Sequence, residues 1–334
     1  MRITPYILIF GLAAVPAFAN DGFMGLPAGG LTLQQSADIR MMDEDLYLSL
    51  EEVRVAYQFR NESAQPVRAQ VGFPMPGLPA SINFENGSEG YDIHDVKGVD
   101  LLKFETRIDG AVAVSRPVVR AFVFPANLPW DKRDTFRFTD GRDVTAELMA
   151  ANIPLSFDAA AIRTAFARLP PSTQADWQRR GLYQKDIGGQ WPQWWLSTIF
   201  VREQVFPPGR TVAVQHRYKP IPSGFIMMAD HLSYDKDLAK AACVDAPTAA
   251  AIKRALPPER GGSGHVLDYI LTTANTWKGP IGRFRLTVDK GATRNLVSLC
   301  ADGIRKAGPT TFVLERANFT PSQDIKILIV KPGG

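Results

Sequence analysis

The stretch DLYLSLEEVRVAYQFRNESAQPVRAQVGFPMP, residues 45–76, declares its structure more plainly than any other part of the chain. Leu46, Leu48 and Leu50 alternate with Tyr47, Ser49 and Glu51, and Val53, Val55, Tyr57 and Phe59 alternate with Arg54, Ala56, Gln58 and Arg60. That period of two is the signature of half-buried strands, whose successive side chains point to opposite faces. Asn61 to Pro66 supplies turn chemistry, and Val67, Ala69, Val71 and Phe73 resume the alternation. The expectation is an antiparallel pair folded at residues 61–66 and stopped at Pro74 and Pro76, which lack the donor that a ladder needs.

Around this stretch the chain is built for a mainly β protein. It has 334 residues, 45% of them hydrophobic and 22% charged, which is enough to bury a large core and suits two domains. Its 27 glycines and 25 prolines are scattered at short intervals, as many strands joined by tight turns require. Arg2, an apolar run from Tyr6 to Val15, and small residues at Ala17 and Ala19 have the form of a secretory signal peptide cut after Ala19. The run falls short of the ~20 residues needed to span a bilayer. The expected location is therefore the periplasm, with no integral membrane segment in the mature chain. The formal charge of +4, with basic and acidic residues interspersed, does not describe a nucleic-acid-binding protein. Cys243 and Cys300 are the two cysteines, and an even pair in an exported protein reads as a disulfide.

Taken in order, Asp43-Glu44-Asp45 reads as a solvated acidic loop before the first strand. Turns are expected at Asn86-Gly87 and Glu89-Gly90. Asp109-Gly110 between Phe104–Ile108 and Ala111–Val114 is a strong hairpin signal, because both central residues of a type I′ turn take positive φ. The period then changes. Residues 144–151, 158–169 and 173–180 read as short helices, with Asp143, Ser156 or Asp158, and Ser172 as candidate caps and Gly181 as a stop. Strands return at Trp194 and at Thr211–Tyr218, the latter needing a partner in the early sheet. Lys219–Gly224 looks like a linker, and a helix is expected over residues 247–256. Gly261 to Gly264 reads as a flexible loop. Five more strands follow, at about residues 266–273, 283–288, 296–300, 311–314 and 325–330, enough for a second sandwich. The expected organisation is a leader at 1–19, a β-sandwich at 20–222 carrying a helical insertion at about 143–181, and a C-terminal β-sandwich at 223–334.

Several of these residues also form a pattern. Asn20-Asp21, Ala28-Gly-Gly-Leu31, Glu44-Asp45-Leu46, Tyr57-x-Phe59-x-Asn61, Phe73-Pro74-Met75-Pro76, Phe206-Pro207-x-Gly209 and His216-x-Tyr218-x-Pro220 together resemble an uncharacterised family of exported proteobacterial proteins, known as a domain of unknown function. A looser likeness, through Ile108-Asp109-Gly110 and Pro207-Pro208-Gly209, is to the vault and inter-alpha-trypsin-inhibitor (VIT) β-sandwich. The first resemblance implies export and no particular activity. The second implies architecture alone.

Chemistry is harder to find. Gly261-Gly262-Ser263-Gly264-His265 lacks the last glycine of a nucleophile elbow and lies before a strand instead of before a helix. His94, His216, His231 and His265 have no metal-ligand spacing. His216 shares the face of Val212, Val214 and Tyr218, which points to a satisfied core histidine. Glu51 and Glu52 point to opposite faces of a strand and cannot act together. No metal or cofactor is implied. Trp191, Trp194 and Trp195, with Trp177 nearby, are the candidate binding surface, since exposed indoles stack on sugars. The competing account puts Trp194 and Trp195 on opposite faces of one strand, as packing groups. The expected function is a non-catalytic envelope or binding protein with an envelope protein or a glycan as partner. A glycan- or peptide-binding module using residues 191–195, and a hydrolase with a dispersed site, are the alternatives.

Overall fold

A computed structural model describes residues 20–25, 32–83, 102–124, 141–186 and 189–333. The leader, Gly29-Gly30, the turns at Asn86-Gly87 and Glu89-Gly90, and His94 lie outside the described residues. The protein is mainly β, with one sheet of eight strands, one of seven, one of four and a two-stranded ribbon.

The deciding stretch folds differently from its expected hairpin. The strand Ile39–Leu48 pairs with Val53–Asn61, and the reversal sits at residues 49–52. Inward residues change from even (Leu46, Leu48) to odd (Val53, Val55, Tyr57, Phe59), and that change of phase marks the turn. Ser49 Oγ stabilises it by accepting from the Glu51 and Glu52 amides at 3.3 and 3.0 Å. At residues 61–66 the chain leaves one sheet for the other, since Val67–Pro74 pairs with Trp194–Phe206 and with Gly22–Gly25. Asn61 holds this crossover: its amide donates to the Gln65 and Phe206 carbonyls at 2.8 Å, and its oxygen accepts from the Ser63 amide at 2.9 Å.

The eight-stranded sheet runs Arg305–Lys306, Thr311–Phe319, Ile281–Asp289, Ile39–Leu48, Val53–Asn61, Thr211–Tyr218, Glu105–Ile108 and Ala111–Ala113. Thr211–Tyr218 does find its partner in the early sheet, Thr211 facing Arg60 and Tyr218 facing Val53. Asp109 and Gly110 have φ of 49° and 84°, as the type I′ turn demands. The seven-stranded sheet is centred on Trp194–Phe206 and packs across the core, where Phe104 stacks on Phe200 at 4.1 Å and Phe59 meets Phe206 edge-on at 6.0 Å.

The expected boundary at residues 222/223 does not separate two sheets. Ile281–Asp289 joins Ile39–Leu48 in parallel, with Arg283 opposite Asp43 and Arg285 opposite Asp45. Thr311–Phe319 and Arg305–Lys306 extend the same sheet. The remaining late strands, Ser223–Met227, Gly262–Tyr269, Ile325–Pro332 and Leu296–Leu299, form the four-stranded sheet. One face of that sheet enters the main core through Leu267, Tyr269, Ile327 and Ile329. Its other face packs Val266, Leu328 and Val330 against Ala242, Ile252 and Leu256 of the helical segment over residues 236–256. Cys243 and Cys300 are bonded and tie that segment to the end of the strand Leu296–Leu299.

Two loops of the sequence reading are strands. Ser223 and Gly224 begin the strand Ser223–Met227, and Gly262 to Gly264 begin Gly262–Tyr269. Their glycines are required by close approach: a Cβ on Gly264 would stand 2.4 Å from the Phe225 ring, and one on Gly262 would stand 2.4 Å from the Lys331 carbonyl. The insertion helices form over Thr145–Ala150, Ala159–Ala167 and Pro171–Arg179. Asp158 caps the second by accepting from the Ala161 amide at 3.0 Å, whereas Ser172 lies inside the third, which starts on Pro171. The helix expected over residues 247–256 runs Ala246–Ala255, with the Asp245 side chain as its cap. Among the described residues no helix is long and apolar enough to cross a membrane.

Candidate functional site

Two polar regions are built by the eight-stranded sheet, one on each face. The inner one begins at residues 20 and 21. Asp21 is fully buried and takes both Nη atoms of Arg202, at 3.0 and 2.6 Å. His216 Nε2 lies 3.0 Å from the same carboxylate, and His216 Nδ1 lies 3.0 Å from Thr106 Oγ1. Burial pushes the Asp21 carboxyl up, but Arg202 and His216, by charge and hydrogen bond, outweigh it and hold the group well below the usual carboxylate range. Burial also depresses the His216 imidazole, against the opposing pull of Asp21. The ring is held between the Asp21 carboxylate at Nε2 and the Thr106 hydroxyl at Nδ1. The connectivity Asp21–His216–Thr106 is that of a hydrolase triad, yet Thr106 and His216 are each only 2% exposed and present no nucleophile to solvent.

Beside this cluster, Asn20 Nδ2 donates to both oxygens of Glu44 at 3.0 and 3.1 Å, and Tyr57 Oη donates to Asn20 Oδ1. Tyr57 Oη also lies 3.3 Å from Tyr269 Oη, and Trp277 Nε1 donates to the Asp21 carbonyl at 2.6 Å. Glu44 therefore does not lie in a solvated loop. A β-bulge between Met41 and Asp43 shifts the strand so that Glu44 points inward while Asp43 and Asp45 point out to Arg283 and Arg285. Burial raises the Glu44 carboxyl to about 8, with the Asn20 amide opposing and the Asp21 and Asp43 charges adding to the rise.

The outer region is a groove of about 540 Å³ on the opposite face of the same strands. Arg54, Arg107, Arg217 and Arg285 line it, together with Asp45, Tyr47, Glu105 and Gln215. Arg54 Nε is 3.0 Å from Glu52, and Arg217 binds that same carboxylate, so two guanidinium groups share one anion. The Arg54 guanidinium also rests 4.4 Å above the Tyr47 ring, and Arg107 pairs with Glu105 at 2.7 Å. The strands place these groups by alternation: Arg54, Ala56, Gln215 and Arg217 are the outward partners of Val53, Val55, Val214 and His216. Among the described residues no group of three His, Cys, Asp or Glu is placed to hold a metal ion.

The expected tryptophan surface is not assembled. Trp177 and Trp194 are 3% and 0% exposed, and both belong to the main core. Tyr183 stacks on Phe166 at 3.7 Å and joins Trp194 to the insertion helices. Trp191 and Trp195 are half-buried, Trp195 lying edge-on to Phe124 at 5.2 Å. The face of Trp194, Leu196, Thr198 and Phe200 continues into Arg202, Gln204 and Phe206, all of them buried. Arg202 was thus readable as an inward charge by extending the alternation, and Glu44 shares the parity of inward Leu46 and Leu48.

A mainly β fold of several sheets, with a closed polar centre and an arginine-lined outer groove, is the class that fold and site define. The chain belongs to the family described as a domain of unknown function, DUF4424, whose model matches residues 19–328. No curated protein matches the sequence. Among solved structures the chain is similar to one from Legionella pneumophila subsp. pneumophila str. Philadelphia 1, provisionally described as a nutrient binding protein, at 12% identity and a TM-score of 0.42. That match covers 94% of this chain and 70% of the other.

Proposed function

We propose that this is an exported, non-catalytic binding protein of the periplasm, and that its outer groove receives an acidic group of an envelope glycan. The observation that supports this most directly is the sharing of Glu52 by Arg54 and Arg217. Guanidinium forks bind carboxylate and phosphate in a bidentate manner, and two forks on one carboxylate leave donors for a second anion. Tyr47, whose ring carries the Arg54 guanidinium, adds an aromatic group to the wall of the groove. The Asp21–His216–Thr106 set supports a structural reading, since its hydroxyl is buried. The tryptophan-based alternative loses two of its four residues to the core.

Calorimetric titration with a peptidoglycan fragment carrying free carboxylates, set against a neutral chitooligosaccharide, tests the reading. Binding of the acidic fragment alone, weakened about tenfold or more by the double replacement of Arg54 and Arg217 with Ala, is the expected result, on the scale of charge-assisted hydrogen bonds. Equal binding of both sugars, or no effect of the replacements, would overturn it.

A further inference from the structure

Residue 20 is fully buried, and so are Asp21 and Glu44, which makes the start of the described chain part of the core. The cation in this cluster, Arg202, is committed to Asp21 through two hydrogen bonds. Among the described residues Glu44 receives only the Asn20 side-chain amide, and no Lys, Arg or His forms an ion pair with it. The other ionisable groups facing the site are Asp21 and His216, Tyr57 and Tyr269, and Asp43 beyond the strand. A buried carboxylate without a cation either stays protonated or needs a positive partner.

We infer that the amino group released at Asn20 by cleavage after Ala19 is the ion-pair partner of Glu44, so that processing of the leader completes the buried polar centre. The inference rests on the reading of residues 1–19 as a cleaved leader and is independent of the groove. Hydrolysis by a signal peptidase adds water across the Ala19–Asn20 amide, leaving a carboxylate on Ala19 and an ammonium on Asn20. A peptide nitrogen, which donates one proton and carries no charge, is thereby replaced by a cation in the residue whose side chain already bridges both Glu44 oxygens. Asn20 is held in place from the other side by Tyr57, and the next residue is anchored by Arg202, His216 and Trp277, so the new charge is delivered to a fixed position. The leader thus does more than address the chain: its removal converts an uncompensated acid into one member of a pair.

The test uses the full mature protein, exported and purified, with its first residue read by N-terminal sequencing. A first residue other than Asn20 overturns the inference and leaves the groove proposal standing. With Asn20 first, urea unfolding is compared for the mature protein, for the same chain carrying one extra Ala before Asn20, and for both in a Glu44→Gln background. The extension is expected to lower the folding equilibrium constant about tenfold or more with Glu44 present, and only about threefold or less in the Glu44→Gln chain. Equal losses in both backgrounds would sink the idea. Should the extended chain fail to fold, amine acylation of the native mature protein at neutral pH replaces it. Labelling of the Asn20 amino group about tenfold or more slower than in the urea-unfolded chain, and faster in Glu44→Gln, is expected for a buried pair. Labelling at the unfolded rate overturns the assignment.

Discussion

Asp21 and Arg202 meet in the core through two hydrogen bonds of 3.0 and 2.6 Å, although 181 positions separate them in the chain. Neither side chain is more than 2% exposed. Removing one partner leaves a buried charge unpaired, which costs roughly 3–5 kcal/mol. Arg202→Leu is therefore expected to lower the urea-unfolding free energy by that amount, whereas Arg202→Leu combined with Asp21→Asn recovers part of the loss. A single replacement that costs under about 1 kcal/mol would contradict the pairing.

How much of this was legible in the sequence follows from what alternation measures. Period two reports which side of a strand a residue faces, so the strands around Tyr57, Trp194 and Val214, the Asp109-Gly110 hairpin and the inward His216 were all readable. It does not report which strand lies alongside. Residues 61–66 have the composition of a hairpin turn and serve as a crossover between sheets, because Asn61 spends its side chain on the Phe206 carbonyl, 145 positions away. The parallel pairing of Ile281–Asp289 with Ile39–Leu48 was hidden for the same reason, although Arg283 and Arg285 complement Asp43 and Asp45 in register. The inner site needed the bulge beside Asp43, which a run of three acidic residues conceals.

The two buried carboxylates give pH dependences of opposite sign. Asp21 has a depressed folded pKa, so its contribution is present above the ordinary carboxylate range and is lost as pH falls. Glu44 is raised to about 8 from an ordinary value of 4.5, so its contribution is complete below 4.5 and disappears as pH rises towards 8. In a chain whose Asn20 carries no ammonium, stability is expected to fall between about pH 5 and 8 by up to about 1.4 kcal/mol per unit, and Glu44→Gln is expected to flatten that slope. Urea midpoints at three pH values read this directly, and a slope unchanged by the substitution would refute it.

The Cys243–Cys300 bond spans a sequence separation of 57. The chain-entropy model assigns about 4 kcal/mol to a closed loop of that size. The bond joins the segment after the helix Lys236–Ala241 to the four-stranded sheet, next to the Ser298 hydroxyl that donates to the Ala242 carbonyl at 2.9 Å. Reduction, or replacement of both cysteines by Ala, is expected to lower the unfolding free energy by roughly that amount. Hydrogen exchange should show the helices over residues 236–255 losing protection before the eight-stranded sheet does. Simultaneous loss across both regions would contradict this local role.

Tryptophans on one strand should separate by face. Trp194 has no exposed surface and packs near Tyr183, so Trp194→Ala is expected to cost about 3–5 kcal/mol, the range for deleting a buried aromatic. Trp195→Ala, on the half-buried face, is expected to cost less than half as much. Melting curves of the two variants decide the matter, and equal losses would mean that the strand is packed alike on both sides.

In the groove, the acid that now occupies the arginines is itself a competitor for any acidic ligand. Glu52 holds Arg54 at 3.0 Å and also holds Arg217, and both guanidinium groups are more than half exposed. Exposed pairs of this kind are worth only about 0.2–1 kcal/mol, so their loss is tolerated by the fold. Glu52→Gln frees both forks and removes a repelling charge. It is expected to tighten binding of a carboxylate-bearing glycan fragment about two- to fivefold, on the scale of one exposed pair, while leaving the melting temperature nearly unchanged. Arg217→Ala is expected to act in the opposite direction, and added salt should shrink both effects as screening grows. Calorimetry at low and high ionic strength distinguishes the outcomes. If Glu52→Gln weakens the acidic ligand, the carboxylate is positioning the arginines for the ligand, and competition between Glu52 and the ligand is ruled out.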